Sequence, residues 1–299
     1  MRWRGETLGV ASQFEAFCKN LRMDQQVVDN ISYRYKRITR QINKDFWGSD
    51  SEDTNSLLVG SYGRGTDIHV SDIDILIKLP YEKYEQYNKY QGNGQSALLQ
   101  EVKNSIEKTY KSYKRADGQV VKVDFTDGIC FEIVPGFINK DNLSYTYPDT
   151  NQGGSWKVTN PKAEILELNV KNKDWNKNLK RLCRMARAWK HHWEVPIGGL
   201  LIDTLAYNFL KDWAHKNESF LYYDWMSRDF FEYLKNQQPT RGDWLAPGSK
   251  SKVFRKGRFE YKALQCYNIA LEAIQKQKDG YEITAKKKWR EIYGTRFPS

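Results

Sequence analysis

The sequence predicts an α+β fold in which a mixed sheet with flanking helices is followed by a helical second lobe. Three observations lead there. Apolar β-type runs are confined to the first half, at 57–59, 72–79, 120–125 and 130–134. Beyond Pro161 apolar residues recur at three- and four-residue spacing, the period of amphipathic helices. Between these halves, 140–160 is rich in Asn, Asp, Gly, Ser, Thr and Pro and reads as a loop and domain boundary. The expected domains are 1–160 and 161–299.

The elements follow in order. Phe14, Phe17, Leu21, Val28, Ile31, Tyr35 and Ile38 recur at helical spacing, so Gly9 to Trp47 reads as a long N-terminal helix, broken once and bracing both lobes. Leu57-Leu58-Val59 is a short strand delivering a Gly60-Ser61 turn. Asp72 to Leu79 is a second strand, stopped by Pro80. Residues 94–113 carry Leu98, Leu99, Val102, Ile106 and Tyr110 and read as a helix. Asp117-Gly118 is a turn, and 120–125 and 130–134 are strands. The second half offers helices at 162–171, 174–194, 199–216, 227–236 and 258–278, with a Gly/Pro/Lys-rich loop at 239–257.

Composition narrows the function classes. The 299 residues are 39% hydrophobic and 28% charged, a balance that fits a folded chain and not a disordered one. No apolar run has the length needed to cross a bilayer, and the N-terminus lacks the apolar core of a signal peptide, so a cytoplasmic protein with no membrane partner is expected. Cys18, Cys130, Cys183 and Cys266 are far apart and without a CxxC pair, which favours buried free thiols over zinc or disulfides. The net charge of +11 is uneven. Residues 1–150 hold 20 Lys and Arg against 21 Asp and Glu; residues 151–299 hold 28 against 16. The basic half suits a nucleic acid or a nucleoside triphosphate.

The chemistry concentrates in Gly60-Ser61-Tyr62-Gly63-Arg64-Gly65-Thr66 and in Ser71-Asp72-Ile73-Asp74-Ile75-Leu76-Ile77. Side chains two apart on a strand share a face, so Asp72 and Asp74 point one way while Ile73, Ile75 and Ile77 point the other. Two like charges side by side repel unless a cation lies between them. Beside a Gly-Ser turn that lets a phosphate approach the backbone, the pair suggests a divalent metal with a phosphate ligand. No Gly-Lys-Ser/Thr follows, so this is not a Walker loop. A two-metal cage needs a third carboxylate. Glu132 and Asp124 each lie in an apolar strand where an acid is costly to bury without a partner, and residue patterning does not separate them. Asp127 sits in a turn.

Gly60-Ser61, Asp72-Ile73-Asp74 and an acid before Ile133-Val134-Pro135 resemble the DNA polymerase β-type nucleotidyltransferase superfamily. Within it, "GSYGRGTDI…SDIDILIKL" and "FEIVPGF" resemble the bacterial cyclic-oligonucleotide synthases of anti-phage defence, the CD-NTases or SMODS group. The resemblance implies a polymerase β-type core with an oligoadenylate-synthetase-like second lobe. It selects Glu132 as the third acid, where the wider superfamily carries Asp. It also implies two Mg²⁺ ions, with Mn²⁺ as a substitute, held by Asp72, Asp74 and Glu132, and donor phosphates held by Gly60 and Ser61. Substrates would be nucleoside triphosphates, ATP and GTP first and pyrimidine nucleotides as variants. The product would be a cyclic di- or trinucleotide that switches on a downstream effector in CBASS signalling; a nucleic-acid activator stays open.

In the helical half, Leu179, Leu182, Ala186, Trp189 and Trp193 form an expected buried stripe. Lys173, Lys177, Lys180, Arg184 and Arg187 form a basic one, whose single sign favours an anion opposite it. Leu182 to Trp189 is similar to the family helix whose basic residue grips the triphosphate. Arg187 matches that position, and Gly199 stands where relatives often carry Ser. Two other classes remain open: a transferase acting on an RNA end, a small molecule or a protein, and a non-catalytic nucleotide- or nucleic-acid-binding module.

Overall fold

A computed structural model describes residues 4–68, 72–111 and 114–299. The chain folds as two compact units that alternate along it. One comprises Met23–Arg64 and His69–Ile165, the other Met1–Arg22, Gly65–Ile68 and Leu166–Ser299.

The N-terminal helical pattern breaks at residues 21–24, giving α1 (Arg4–Asn20) and α2 (Gln25–Trp47). Gly48, with φ +61°, ends α2 in the left-handed conformation and returns its N–H to the Asn43 carbonyl. The two pieces belong to different units. Phe14 and Phe17 of α1 are fully buried among helical-unit aromatics, Phe14 meeting Trp289 at 5.1 Å and Phe297 at 5.2 Å between ring centroids. Ile31, Ile38 and Ile42 of α2 enter the core of the sheet unit. The N-terminal residues thus form two helices with separate cores, and the helical unit takes in residues outside an expected 161–299 domain.

The sheet unit continues with β1 (Ser56–Leu58), α3 (Gly60–Arg64), β2 (Asp72–Lys78), α4 (Tyr81–Asn88), α5 (Gly94–Glu107), β3 (Lys114–Asp117), β4 (Val120–Asp124), β5 (Cys130–Ile138), β6 (Tyr145–Asp149) and β7 (Ser155–Thr159). These strands build one mixed sheet in the order β1-β2-β5-β4-β3, with β6 paired to β5 and β7 to β6. β2 and β5 run parallel; the other pairings are antiparallel. Ile73, Ile75, Phe131 and Ile133 of the central pair are at most 1% exposed and pack in one core with Leu98 and Val102 of α5. The expected loop at 140–160 is instead the β6–β7 hairpin. Its aromatic and β-branched residues pair Tyr145 with Thr159 and Thr146 with Val158, and the turn residues are gathered at 151–154. The helix α4 was not evident from sequence.

The helical unit contains the body of α6 (Pro161–Asp174), then α7 (Asn178–His192), α8 (Gly199–Asp212), α9 (Tyr223–Lys235), α10 (Glu260–Lys278) and α11 (Glu282–Tyr293). A short hairpin, β8 (Asp243–Leu245) with β9 (Lys252–Phe254), lies inside the expected 239–257 loop. Leu179, Leu182, Ala186 and Trp189 are buried as the spacing predicts, with Trp193 half-buried. Cys183 and Cys266 are buried free thiols; Cys18 and Cys130 are free and half-buried. Among the described residues no helix is long and apolar enough to cross a membrane.

Candidate active site

The parallel register of β2 and β5 decides which acids meet. Asp74 lies opposite Glu132, and Asp72 opposite Cys130. Neighbouring strands are about 4.8 Å apart, so side chains on the same face at these positions are in reach of one another. Single ligand atoms of Asp72, Cys130 and Glu132 lie within 4.8 Å of each other, near enough to share one cation. The other two candidate acids are placed differently. Asp124 is opposite Cys130 on β4, where it accepts the thiol's hydrogen bond. Asp127 accepts a bidentate pair of hydrogen bonds from Arg34 at 3.0 and 2.7 Å, a structural role.

The clustered negative charge shows in Asp74. Burial, then the Glu132 carboxylate, with a further push from Asp72, raises its pKa to about 6 against the pull of Arg64 and Lys122. Two cations are built around the acids. Lys122, opposite Glu132 on β4, donates to Glu132 Oε1 at 2.5 Å, and that hydrogen bond raises its own pKa. Arg64 is 6% exposed and lies 3.5 Å from Glu164 Oε2. The sequence reading missed both cations. Lys122 alternates with buried Val121 and Val123, which does signal a side chain on the Glu132 face. The donor set of carboxylates, with a lysine neutralising one of them, fits a divalent cation.

Gly60 opens α3 at φ +62°. A β-carbon there would lie 1.8 Å from Asp74 Oδ2, so glycine is the residue that lets this bend sit against the acid. Chain and strand are pinned where they meet, since the Val59 N–H donates to the Asp74 carbonyl at 2.9 Å. Ser61 follows, half-exposed, in the first turn of α3. Within one unit, Gly60 thus meets Asp74, Asp74 lies opposite Glu132, and Asp72 clusters with Cys130 and Glu132.

Arg187 belongs to the other unit and is 5% exposed. Its guanidinium donates to both Asp203 oxygens at 2.6 and 3.0 Å, to the Gly199 carbonyl at 3.0 Å and to the Cys183 carbonyl at 3.3 Å. Burial alone would lower its pKa, but the Asp203 carboxylate prevails and the net shift is upward. The triphosphate grip that the resemblance implies for Arg187 meets a guanidinium already engaged by protein acceptors. Its partner stands sixteen residues on, in α8, beyond the reach of a helical-spacing argument. A β-carbon at Gly199 would stand 3.3 Å from Arg187 Nη2, so the missing side chain there leaves room for this arginine.

The family profile described as Second Messenger Oligonucleotide or Dinucleotide Synthetase domain, SMODS, matches residues 8–172. A probable cyclic nucleotide synthase of Bacillus cereus (strain VD146) is 22% identical over 222 residues, 68% of this chain and 63% of that protein. The chain thus spans less than two thirds of that relative's length. Among solved structures, CdnC of E. coli MS115-1 in a HORMA-deltaN complex aligns with TM-score 0.68 and 14% identity, over 97% of this chain and 98% of that one. CdnG of Bradyrhizobium diazoefficiens, bound to GTP, aligns at 0.67 with 10% identity, over 96% and 95%. The Vibrio cholerae cyclic AMP-GMP synthase DncV aligns at 0.61 with 15% identity, over 98% and 88%. At these identities the structural likeness establishes a fold shared with these proteins.

Proposed function

Because this chain belongs to the SMODS family of nucleotidyltransferases, we propose that it joins nucleoside triphosphates into a cyclic di- or trinucleotide second messenger. The observation that carries the reading is the register that sets Asp74 against Glu132, next to Asp72 and beneath the Gly60 bend.

In this reading Asp72, Asp74 and Glu132 hold divalent cations, two Mg²⁺ with Mn²⁺ as a substitute. Bound there, such ions supply Lewis-acid activation of a hydroxyl and neutralise charge on the leaving group. The chain's own residues do the rest. Gly60 and Ser61 cradle the β- and γ-phosphates of the donor through backbone amides and a hydroxyl. Lys122 holds the Glu132 carboxylate in place through its hydrogen bond. The acceptor's 2′- or 3′-hydroxyl loses its proton to solvent as its oxygen bonds to the donor α-phosphorus, the bond to the β-phosphate bridge breaks, and pyrophosphate departs. A second transfer closes the ring. Arg187 acts through structure, tying α7 to α8 by way of Asp203. ATP and GTP are the first substrates to test. The resemblance extends the proposal to a cytoplasmic role in anti-phage CBASS signalling through a downstream effector, and the similarity to DncV, a cyclic AMP-GMP synthase, supports the product class.

The test is mass spectrometry of products from each nucleotide pair with Mg²⁺ or Mn²⁺, with nuclease digestion to assign linkages. A cyclic product from nucleotides alone, absent in Asp72→Asn/Asp74→Asn, is expected. The excess positive charge of residues 151–299 favours a second reading, transfer to an RNA end. That reading gains if products form only once RNA is added, and cyclic synthesis then fails as the function.

A further inference from the structure

Of the expected basic stripe, Lys180, Arg184 and Arg187 lie on α7, while Lys173 falls in the last turn of α6 and Lys177 caps α7. Arg187 is spent on Asp203, and Lys180 donates to Asn169 Oδ1 at 2.5 Å. Arg184 and Arg181 line a cavity of about 230 Å³ whose walls all belong to the helical unit. The opposite wall comes from one face of α1 and the turn after it, with Glu15, Cys18, Lys19 and Arg22 at helical spacing. Phe220 closes one side.

The electrostatics of this cavity do not balance. Arg184 is half-buried and donates only to backbone, to the Gly65 carbonyl at 2.7 Å and the Asp67 carbonyl at 3.2 Å. Arg181, also half-buried, donates to the Asn176 carbonyl and the Tyr223 hydroxyl, and its guanidinium carbon lies 4.5 Å from the Phe220 ring centroid. Among the described residues, no carboxylate comes within 4.0 Å of Arg22, Arg181 or Arg184, and Glu15 is the sole acid in the lining. Cations taken out of water are ordinarily paired, because leaving them unpaired costs several kcal/mol. Burial lowers the Arg184 pKa, the Asp67 carboxylate pulls it back up, and the nearby Arg22 lowers it again. The fold thus gathers half-buried Arg181 and Arg184 with exposed Arg22 and Lys19 around a hollow, and the opposing acids are two, Glu15 in the lining and Asp67 acting on Arg184.

We propose that this cavity binds a compact multivalent anion, carrying two or more phosphate or carboxylate groups. Its volume lies below the roughly 300–1,000 Å³ of sites for drug-sized ligands, so the occupant is small. Guanidinium forks grip phosphates and carboxylates two bonds at a time. Arg181 is pre-set for this, since the Phe220 face holds its plane. Binding is non-covalent: burial pushes the Cys18 thiol up to about 12 in spite of the three arginines, so it stays protonated at neutral pH. Because Arg184 also holds the Gly65 and Asp67 carbonyls, an anion drawing on this arginine acts on the Gly65–Ile68 segment of the same unit.

Isothermal titration of the full chain, free of divalent metal and at matched ionic strength, tests this with pyrophosphate and citrate as probes and sulfate as the simpler anion. One site is expected for pyrophosphate or citrate, tighter than for sulfate. The tighter of the two identifies a phosphate or a carboxylate ligand. Arg22→Ala and Arg181→Ala should each weaken it at least tenfold. Glu15→Gln should tighten it severalfold, a gain that misfolding cannot imitate. Asp72→Asn should leave it unchanged. The proposal is overturned if neither probe binds more tightly than sulfate, if both arginine variants bind as the parent does, if Glu15→Gln brings no gain, or if Asp72→Asn shifts the affinity.

Discussion

Two like-charge clusters can be set side by side. In the sheet unit, Asp72, Asp74 and Glu132 crowd together on adjacent strands, with Lys122 supplied from the next strand as a counter-charge. In the helical unit, Arg22, Arg181 and Arg184 line a cavity in which Glu15 is the one lining acid, with Asp67 acting on Arg184. Both pay for concentrating charge of one sign. The acids share a rigid register and a built-in cation, as a site that must be held in one geometry before its ions arrive. The arginines rest on backbone carbonyls and an aromatic face, as a site that waits for its counter-charge from solution.

Four measurements break or sharpen this contrast. Asp72→Asn/Asp74→Asn should lower synthesis by on the order of 10²–10³-fold or more while the circular dichroism spectrum stays native; preserved turnover would remove the acids from the mechanism. Asp203→Asn should destabilise the fold by about 3–5 kcal/mol in denaturant titration, since it leaves the buried Arg187 charge without its carboxylate. A small effect there would mean that Arg187 is free to serve a ligand.

The third measurement uses pH on the metal-free protein. Asp74 has its pKa raised to about 6 from 3.8, so the folded state binds this proton more tightly than the unfolded state does. Stability should therefore fall as pH rises from about 4 to about 6, and the contribution should level off above. A shift of this size corresponds to roughly 3 kcal/mol, an upper bound because solvent screens a half-buried group. Asp74→Asn should flatten the slope in thermal melts run with chelator. Last, Gly60→Ala should cost ~1–3 kcal/mol through its left-handed backbone alone. It should also displace Asp74, so synthesis should fall together with melting temperature.

The same contrast explains what was legible from sequence. Asp72 and Asp74 declare a shared face because strand periodicity is local and the intervening isoleucines are apolar. Glu132 needed the family resemblance, because choosing it over Asp124 requires the register of β5 against β2 and β4, which no single strand encodes. Lys122 was passed over for the same reason. The arginine cavity joins residues 15–22 to 181–184, about 160 positions apart, and neither helix face announces the other. The Arg187–Asp203 pair was not legible because Asp203 lies on the next helix. The β6–β7 hairpin was hidden by the Gly and Asn of its turn, whose density outweighed the alternating aromatics on either side.

The interleaving of the two units has a further consequence. The polypeptide changes unit at residues 22, 64, 68 and 165, and Phe14 and Phe17 complete a core whose other members come mostly after residue 166. A single cut in the gene therefore cannot release either unit intact. Recombination that swaps one half between homologues would leave one hybrid with an N-terminal helix evolved for a different interior, so such genes are expected to diversify by point substitution more readily than by exchange of halves.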